Sequence, residues 1–110
     1  MNIDTIVVKK TLVNGEEIIV KYSGNNNRII IDLGETSYIG YIIRGIGSRE
    51  AQLKHNLFHE KLLCDLHNNN CTSHKFLFVK NKNRILIQMI NESTKTTFYD
   101  MVCYKNGVIC

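Results

Sequence analysis

Six side chains able to hold a metal or move a proton fall between positions 55 and 74: His55, His59, Cys64, His67, Cys71 and His74. His55 and His59 stand four apart, so a helix places both imidazoles on one face, where two histidines can share a zinc ion. A metalloprotease helix carries its general base beside the first histidine, but here Asn56, Leu57 and Phe58 separate the pair. Cys64 lies about 140° or more around the same helix at 100° per residue. Cys71 and His74 could fold back toward the pair, but no spacing requires it. A hydrogen-bonded histidine pair on an apolar stripe is the simpler expectation. Metal-assisted hydrolysis at His55 and His59 is the sharper one.

Other chemistries have thinner support. A cysteine nucleophile needs a histidine and an orienting acid gathered in space, and no local signature such as G-x-S-x-G names one. Asp32 and Asp100 sit inside strand-like runs, where a solvent face accounts for them. Gly45-Ile46-Gly47-Ser48 precedes a helical stretch and is flanked by Arg44 and Arg49. A helix N-terminus can hold an anion, yet this segment lacks the Lys-Ser/Thr of a P-loop and the third glycine of a dinucleotide site. No catalytic residue is singled out, an enzyme is the less expected outcome, and no cofactor is implied.

Charge gives a further candidate. The net charge is +4, and residues 1–47 sum to zero, so the whole excess lies in 48–110. Lys75, Lys80, Lys82 and Arg84 occur within ten residues without an acid among them. Such a stretch can meet phosphates or simply guard a strand edge. Phe76, Phe78, Phe98, Tyr99 and Tyr104 supply aromatics to the same half. However, Phe76 and Phe78 share one strand face, and no segment matches the RNA-recognition consensus.

The elements that must position these groups follow from composition and pattern. A chain of 110 residues, 44% hydrophobic and 22% charged, suits one globular domain spanning 1–110. Proline is absent, and the chain holds thirteen asparagines, fifteen isoleucines and ten lysines. Those three residue types have A- and T-rich codons, which points to an AT-rich source such as a low-GC bacterium or a phage. No apolar run approaches the ~20 residues of a membrane span. Met1-Asn2-Ile3-Asp4 begins no secretion signal. A cytoplasmic setting with free thiols at Cys64, Cys71, Cys103 and Cys110 is therefore expected, and their spacing contains no C-x-x-C.

Runs rich in β-branched residues alternate with turn signals over the first forty-five residues. Four strands are expected, near 6–12, 16–22, 28–33 and 38–44, with Asn14-Gly15 as a type I′ hairpin turn. Ser48 is placed to cap a helix from Arg49 to about His67. Ala51, Phe58, Leu62, Leu63 and Leu66 share its broad apolar face with His55 and His59, while Leu53, Leu57 and Cys64 suggest cover on the other flank. Three more strands follow, near 76–79, 85–90 and 97–104, with a second Asn-Gly turn at 106–107. Short connections favour antiparallel pairing.

The expected fold is α+β: a single domain whose twisted, mostly antiparallel sheet of about seven strands (β-β-β-β-α-β-β-β) carries one long helix on one face. Ile29, Ile31, Leu33, Ile85, Ile87 and Met89 are its expected core partners for the helix. An open sheet and a partly closed barrel plugged by the helix both fit. For function, the expectation is a small protein that binds a protein partner stoichiometrically. A toxin-neutralising immunity protein or a phage-encoded inhibitor would act in this way. An RNA- or DNA-binding module using Lys75, Lys80, Lys82 and Arg84 is the alternative, and a metal-assisted hydrolase using His55 and His59 the second alternative.

Overall fold

The computed structural model describes residues 5–23, 28–42, 47–68 and 74–108. Strands β1 (Thr5–Thr11), β2 (Glu17–Ser23), β3 (Arg28–Leu33) and β4 (Thr36–Tyr41) form a meander. Helix α1 (Arg49–Asn68) then leads to β5 (His74–Asn81), β6 (Arg84–Asn91) and β7 (Thr96–Lys105). All seven strands join one curled antiparallel sheet in the order β1-β2-β3-β4-β7-β6-β5. The α+β architecture expected from the sequence is therefore present. Ile43 to Ile46, Cys71 and Cys110 lie outside the described residues.

Both Asn-Gly pairs turn the chain, but differently. At Asn106-Gly107 both residues have positive φ (55° and 75°), and Val108 N–H donates to the Lys105 carbonyl at 3.0 Å, as a type I′ turn requires. At Asn14-Gly15 only the glycine does, with φ 98°. Gly15 N–H donates to Leu12 O at 2.9 Å and Leu12 N–H to Glu16 O at 2.8 Å. The type I′ expectation is corrected to a three-residue loop with its glycine in the left-handed region. The cause is local: Asn14 Oδ1 accepts the Glu16 N–H at 2.9 Å, a bond that holds Asn14 as a turn former.

Ser48 caps α1 as expected: its hydroxyl accepts the Ala51 N–H at 3.1 Å and its carbonyl the Gln52 N–H at 3.0 Å. Phe58, Leu62 and Leu66, spaced at i, i+4 and i+8, are fully buried against the inward residues of the sheet. Val20, Ile29, Ile31, Ile85, Ile87, Met89 and Cys103 lose all exposure there. Leu33 and Leu63 pack at the margin of this core. Two expectations are corrected. Ala51 is exposed, because the first helical turn carries it outside the core. Leu53 is 60% exposed while Leu57 and Cys64 are partly buried, because a single sheet curls around one flank of the helix and covers the other only in part.

The curl brings the two sheet edges together around α1. Val13 N–H, just beyond β1, donates to the Phe78 carbonyl of β5 at 2.9 Å. Lys10 on β1 reaches the helix, where its ammonium meets the Asp65 carboxylate at 2.9 Å with both side chains largely shielded. The sheet thus approaches the helix-plugged, partly closed barrel.

The two meanders meet at a narrow seam, where β4 and β7 share only the pairs Tyr38–Lys105 and Ile39–Tyr104. A Cβ added at Gly40 would stand 2.7 Å from Cys103 Sγ, 2.7 Å from Met101 Cε and 3.2 Å from the Val102 carbonyl. Gly40→Val therefore overpacks the seam, and a loss of ~1–3 kcal/mol is expected in urea unfolding. A midpoint equal to that of the parent would show that β4 does not approach β7 this closely.

Candidate functional site

The helix and the sheet bring the histidine pair together. His55 and His59 ring centroids lie 4.5 Å apart at an angle of 61°, and His59 is 4% exposed. The hydroxyl of Tyr99 on β7 lies 2.8 Å from His55 Nδ1. Phe58 fills the space between, 5.3 Å from the His59 ring and 5.0 Å from Tyr99, with Tyr22 of β2 beyond His59 at 6.2 Å. The register explains how Tyr99 arrives. Met89 pairs with Tyr99 but Ile90 with Thr97, so Phe98 is the extra residue of a bulge. A bulge bends its strand and re-aims side chains. Phe98 accordingly lies 5.5 Å from the Lys54 ammonium on the helix and 5.7 Å from the His74 ring.

Of the six groups singled out in the sequence, two come together. Cys64 is partly buried on the helix flank away from the pair, His67 is exposed, and His74 packs on Phe98. Cys71 lies outside the described residues. Among the described residues no three His, Cys, Asp or Glu side chains are placed to hold one metal ion. The pair instead belongs to an aromatic cluster that joins the helix to β2 and β7. Burial, with a smaller push from Asp100, raises the Tyr99 phenol above its ordinary value, so the ring stays protonated at neutral pH and bridges as a neutral hydroxyl.

The remaining candidates resolve into structural roles or surface charges. Burial pushes the Cys103 thiol up to about 12, which denies it the thiolate that nucleophilic attack requires. Asp32 accepts hydrogen bonds from Lys21 Nζ at 2.8 Å and from the Ser37 hydroxyl at 2.7 Å. These partners, Lys21 first, hold its carboxyl below the usual range against the opposing effect of burial. Asp100 is exposed. Ser48 serves as the helix cap, while Arg44, Gly45 and Ile46 of the proposed anion turn lie outside the described residues.

The basic set divides. Lys75 and Lys80 lie five residues apart on β5 and thus project from opposite faces, separated by ~16 Å at ~3.3 Å per residue. Lys80, Lys82 and Arg84 gather at the β5–β6 turn, where Lys80 Nζ donates to the Lys82 carbonyl at 3.0 Å. Phe76 and Phe78 point inward to the core, so they form no stacking platform.

The face opposite α1 carries residues that the sequence reading passed over. Val79, Leu86 and Val102 are direct cross-strand neighbours on the outer side of β5, β6 and β7. Leu77 extends this patch along β5 and Tyr104 along β7. All five are partly exposed, and α1 lies on the other side. The available signal was β6 itself: Ile85-Leu86-Ile87-Gln88-Met89-Ile90 is apolar on its inner face and, apart from Gln88, on its outer face, close to a strand covered twice, whereas the chain supplies one helix.

Comparison with protein-family models, with curated proteins and with solved structures finds no match to this chain. No helix among the described residues is long and apolar enough to cross a membrane.

Two predictions follow from the ionisable groups. Cys103 should resist iodoacetamide at pH 8 in the folded protein and react once unfolded, while partly buried Cys64 reacts in the native state; native labelling of Cys103 at the Cys64 rate would contradict its burial. For Asp32, the folded carboxyl titrates below its unfolded value, so its contribution to stability is complete above about pH 4 and disappears as pH falls through the folded value. Asp32→Asn should thus melt lower than the parent at pH 7, by no more than ~1 kcal/mol because Lys21 remains half in water. The two should converge once pH falls below the folded value. A difference that persists unchanged into acid would refute the ion pair.

Proposed function

We propose that this protein acts by stoichiometric binding to a protein partner, through the outer face of β5, β6 and β7. The observation that carries this reading is the Val79–Leu86–Val102 row, set in register across three strands with no described element over it. An antiparallel sheet that faces water on one side ordinarily alternates polar residues there. A contiguous apolar row rimmed by charge is the usual composition of a docking centre.

The rim indicates the partner's chemistry. Lys75 flanks the patch at one end and Arg84 and Lys82 at the other, with Asp100 as the acid on this face. Lys75, Lys82 and Arg84 form no ion pair among the described residues. The complementary surface has an apolar centre ringed by carboxylates, so that the centre supplies affinity and the rim steers association. Such a protein inhibits its partner when the covered surface is the partner's working one, as an immunity protein or a phage-encoded inhibitor does.

The test begins with a one-to-one complex reconstituted from purified chains after crosslinking in the source cells. Leu86→Asp and Val102→Asp put a charge at the centre and should weaken that complex by at least ~2 kcal/mol; both side chains are partly buried, so a native far-ultraviolet spectrum for each variant separates a lost contact from a lost fold. Binding that survives both substitutions refutes the reading. For nucleic acid, mixed single-stranded RNA should bind no more tightly than the ~10⁻⁴ to 10⁻⁶ M of non-specific attraction. Submicromolar, salt-dependent RNA affinity lost in a Lys80→Gln/Lys82→Gln/Arg84→Gln variant would replace this proposal with the nucleic-acid one.

A further inference from the structure

We infer that the β5–β6 turn and the end of β7 form a notch for a phosphate carried beside a planar ring, the arrangement a nucleoside monophosphate presents. The depression measures about 140 Å³ and is lined by Lys82, Asn83, Arg84, Tyr104 and Val108. Arg84 and Tyr104 are direct cross-strand partners, so the two side chains leave one face of the sheet as neighbours, with Cβ atoms ~5 Å apart. Lys82 adds a second cation from the turn. Among the described residues no carboxylate lines the notch. A guanidinium fork takes two phosphate oxygens at once, and an ammonium adds a point charge to a third. The Tyr104 face and the Val108 side chain then give the attached ring an apolar surface on which to stack.

The frame around these groups is fixed. The Asn83 carbonyl accepts the Lys105 N–H at 2.9 Å, tying the β5–β6 turn to β7. Lys80 Nζ holds the Lys82 carbonyl at 3.0 Å. On the opposite wall, the type I′ turn at Asn106-Gly107 packs against β4, where a Cβ at Gly107 would meet the Tyr41 hydroxyl at 3.2 Å. Lys82 itself sits at φ 58°, a left-handed conformation that disfavours a side chain and persists where the surroundings determine it. The notch holds one phosphate and one ring. Lys75 lies too far along the hairpin to extend it into a strip for a nucleic-acid strand.

The experiment is a titration of the full chain, followed by amide chemical shifts at constant ionic strength, with adenosine monophosphate, phenyl phosphate and inorganic phosphate as separate probes. Saturable shifts are expected at residues 82–84, Tyr104 and Val108, with adenosine monophosphate binding about tenfold more tightly than inorganic phosphate. Arg84→Gln should abolish binding of all three probes. Tyr104→Leu should lower adenosine monophosphate to the level of inorganic phosphate and leave inorganic phosphate unchanged. An unchanged far-ultraviolet spectrum and melting curve for each variant separate a lost ligand contact from a lost fold. No saturation below about 20 mM, equal affinity for adenosine monophosphate and inorganic phosphate, or shifts centred on Leu86 instead of the notch would each overturn the assignment. Phenyl phosphate binding more tightly than adenosine monophosphate would overturn the nucleotide as source in favour of a phosphorylated tyrosyl side chain.

Discussion

At Gly40 the missing side chain lets β4 lie against Cys103, Met101 and the Val102 backbone of β7, and there two separate meanders become one sheet. The first meander is local, since each strand pairs with the next through a short turn. The second is local in the same way. Between them stand the helix and a connection that closes a long loop, whose entropic cost must be met by contacts at its end. Only two residue pairs of β4 and β7 are in register, so hydrogen bonding across the seam is a small part of that compensation. Most comes from α1, whose Phe58, Leu62 and Leu66 reach buried residues of both meanders. Seam and helix depend on each other: without the close approach the sheet would not curl far enough to enclose the stripe, and without the stripe the seam has little to hold it.

The histidine cluster belongs to this economy. His55 and His59 carry polar atoms into a region otherwise filled by Phe58, Tyr22 and Tyr99, and buried polar atoms are costly unless they are bonded. The bulge at Phe98 answers that need by turning Tyr99 toward His55. The same bulge places Phe98 beneath Lys54, so one extra residue in β7 fastens the helix at two points. Two histidines at zinc spacing thus sit within the packing of α1 against β2 and β7.

Local features were legible in the sequence because local physics sets them. Ser48 before a run free of glycine and proline specified the helix start, and the 3.6-residue period identified Phe58, Leu62 and Leu66 as its buried side. Alternation in 28–33 and 85–90 identified the inward residues. Non-local features were less accessible. The pairing of β4 with β7 depends on the whole topology, although Gly40 within a strand is the kind of residue that marks close backbone approach. Asn14-Gly15 could not be distinguished from Asn106-Gly107 by composition, because the difference lies in which groups bond to the asparagine side chain. The basic cluster looked continuous in one dimension, and the period of two then sent Lys75 and Lys80 to opposite faces. For the candidate site, the histidine spacing was readable but the arrival of Tyr99 through a bulge was not.

The asymmetry of charge along the chain acquires a spatial meaning in the folded sheet. On the outer side of the first meander, Lys21 is matched by Asp32 at 2.8 Å and Lys9 lies 3.8 Å from Glu17. These pairs match part of the charge of that half, which sums to zero. The second meander keeps Lys75, Lys82 and Arg84 without such partners among the described residues, and its outer face carries the Val79–Leu86–Val102 row. An unmatched cation beside a partly exposed Leu86 adds little to a fold already closed on its inner side, since exposed charges contribute little to stability. Both features do, however, give a ligand or partner something to bind. The inner face is committed to enclosing α1, whereas on the outer face of β5, β6 and β7 a partly exposed apolar row lies beside cations that have no ion-pair partner among the described residues.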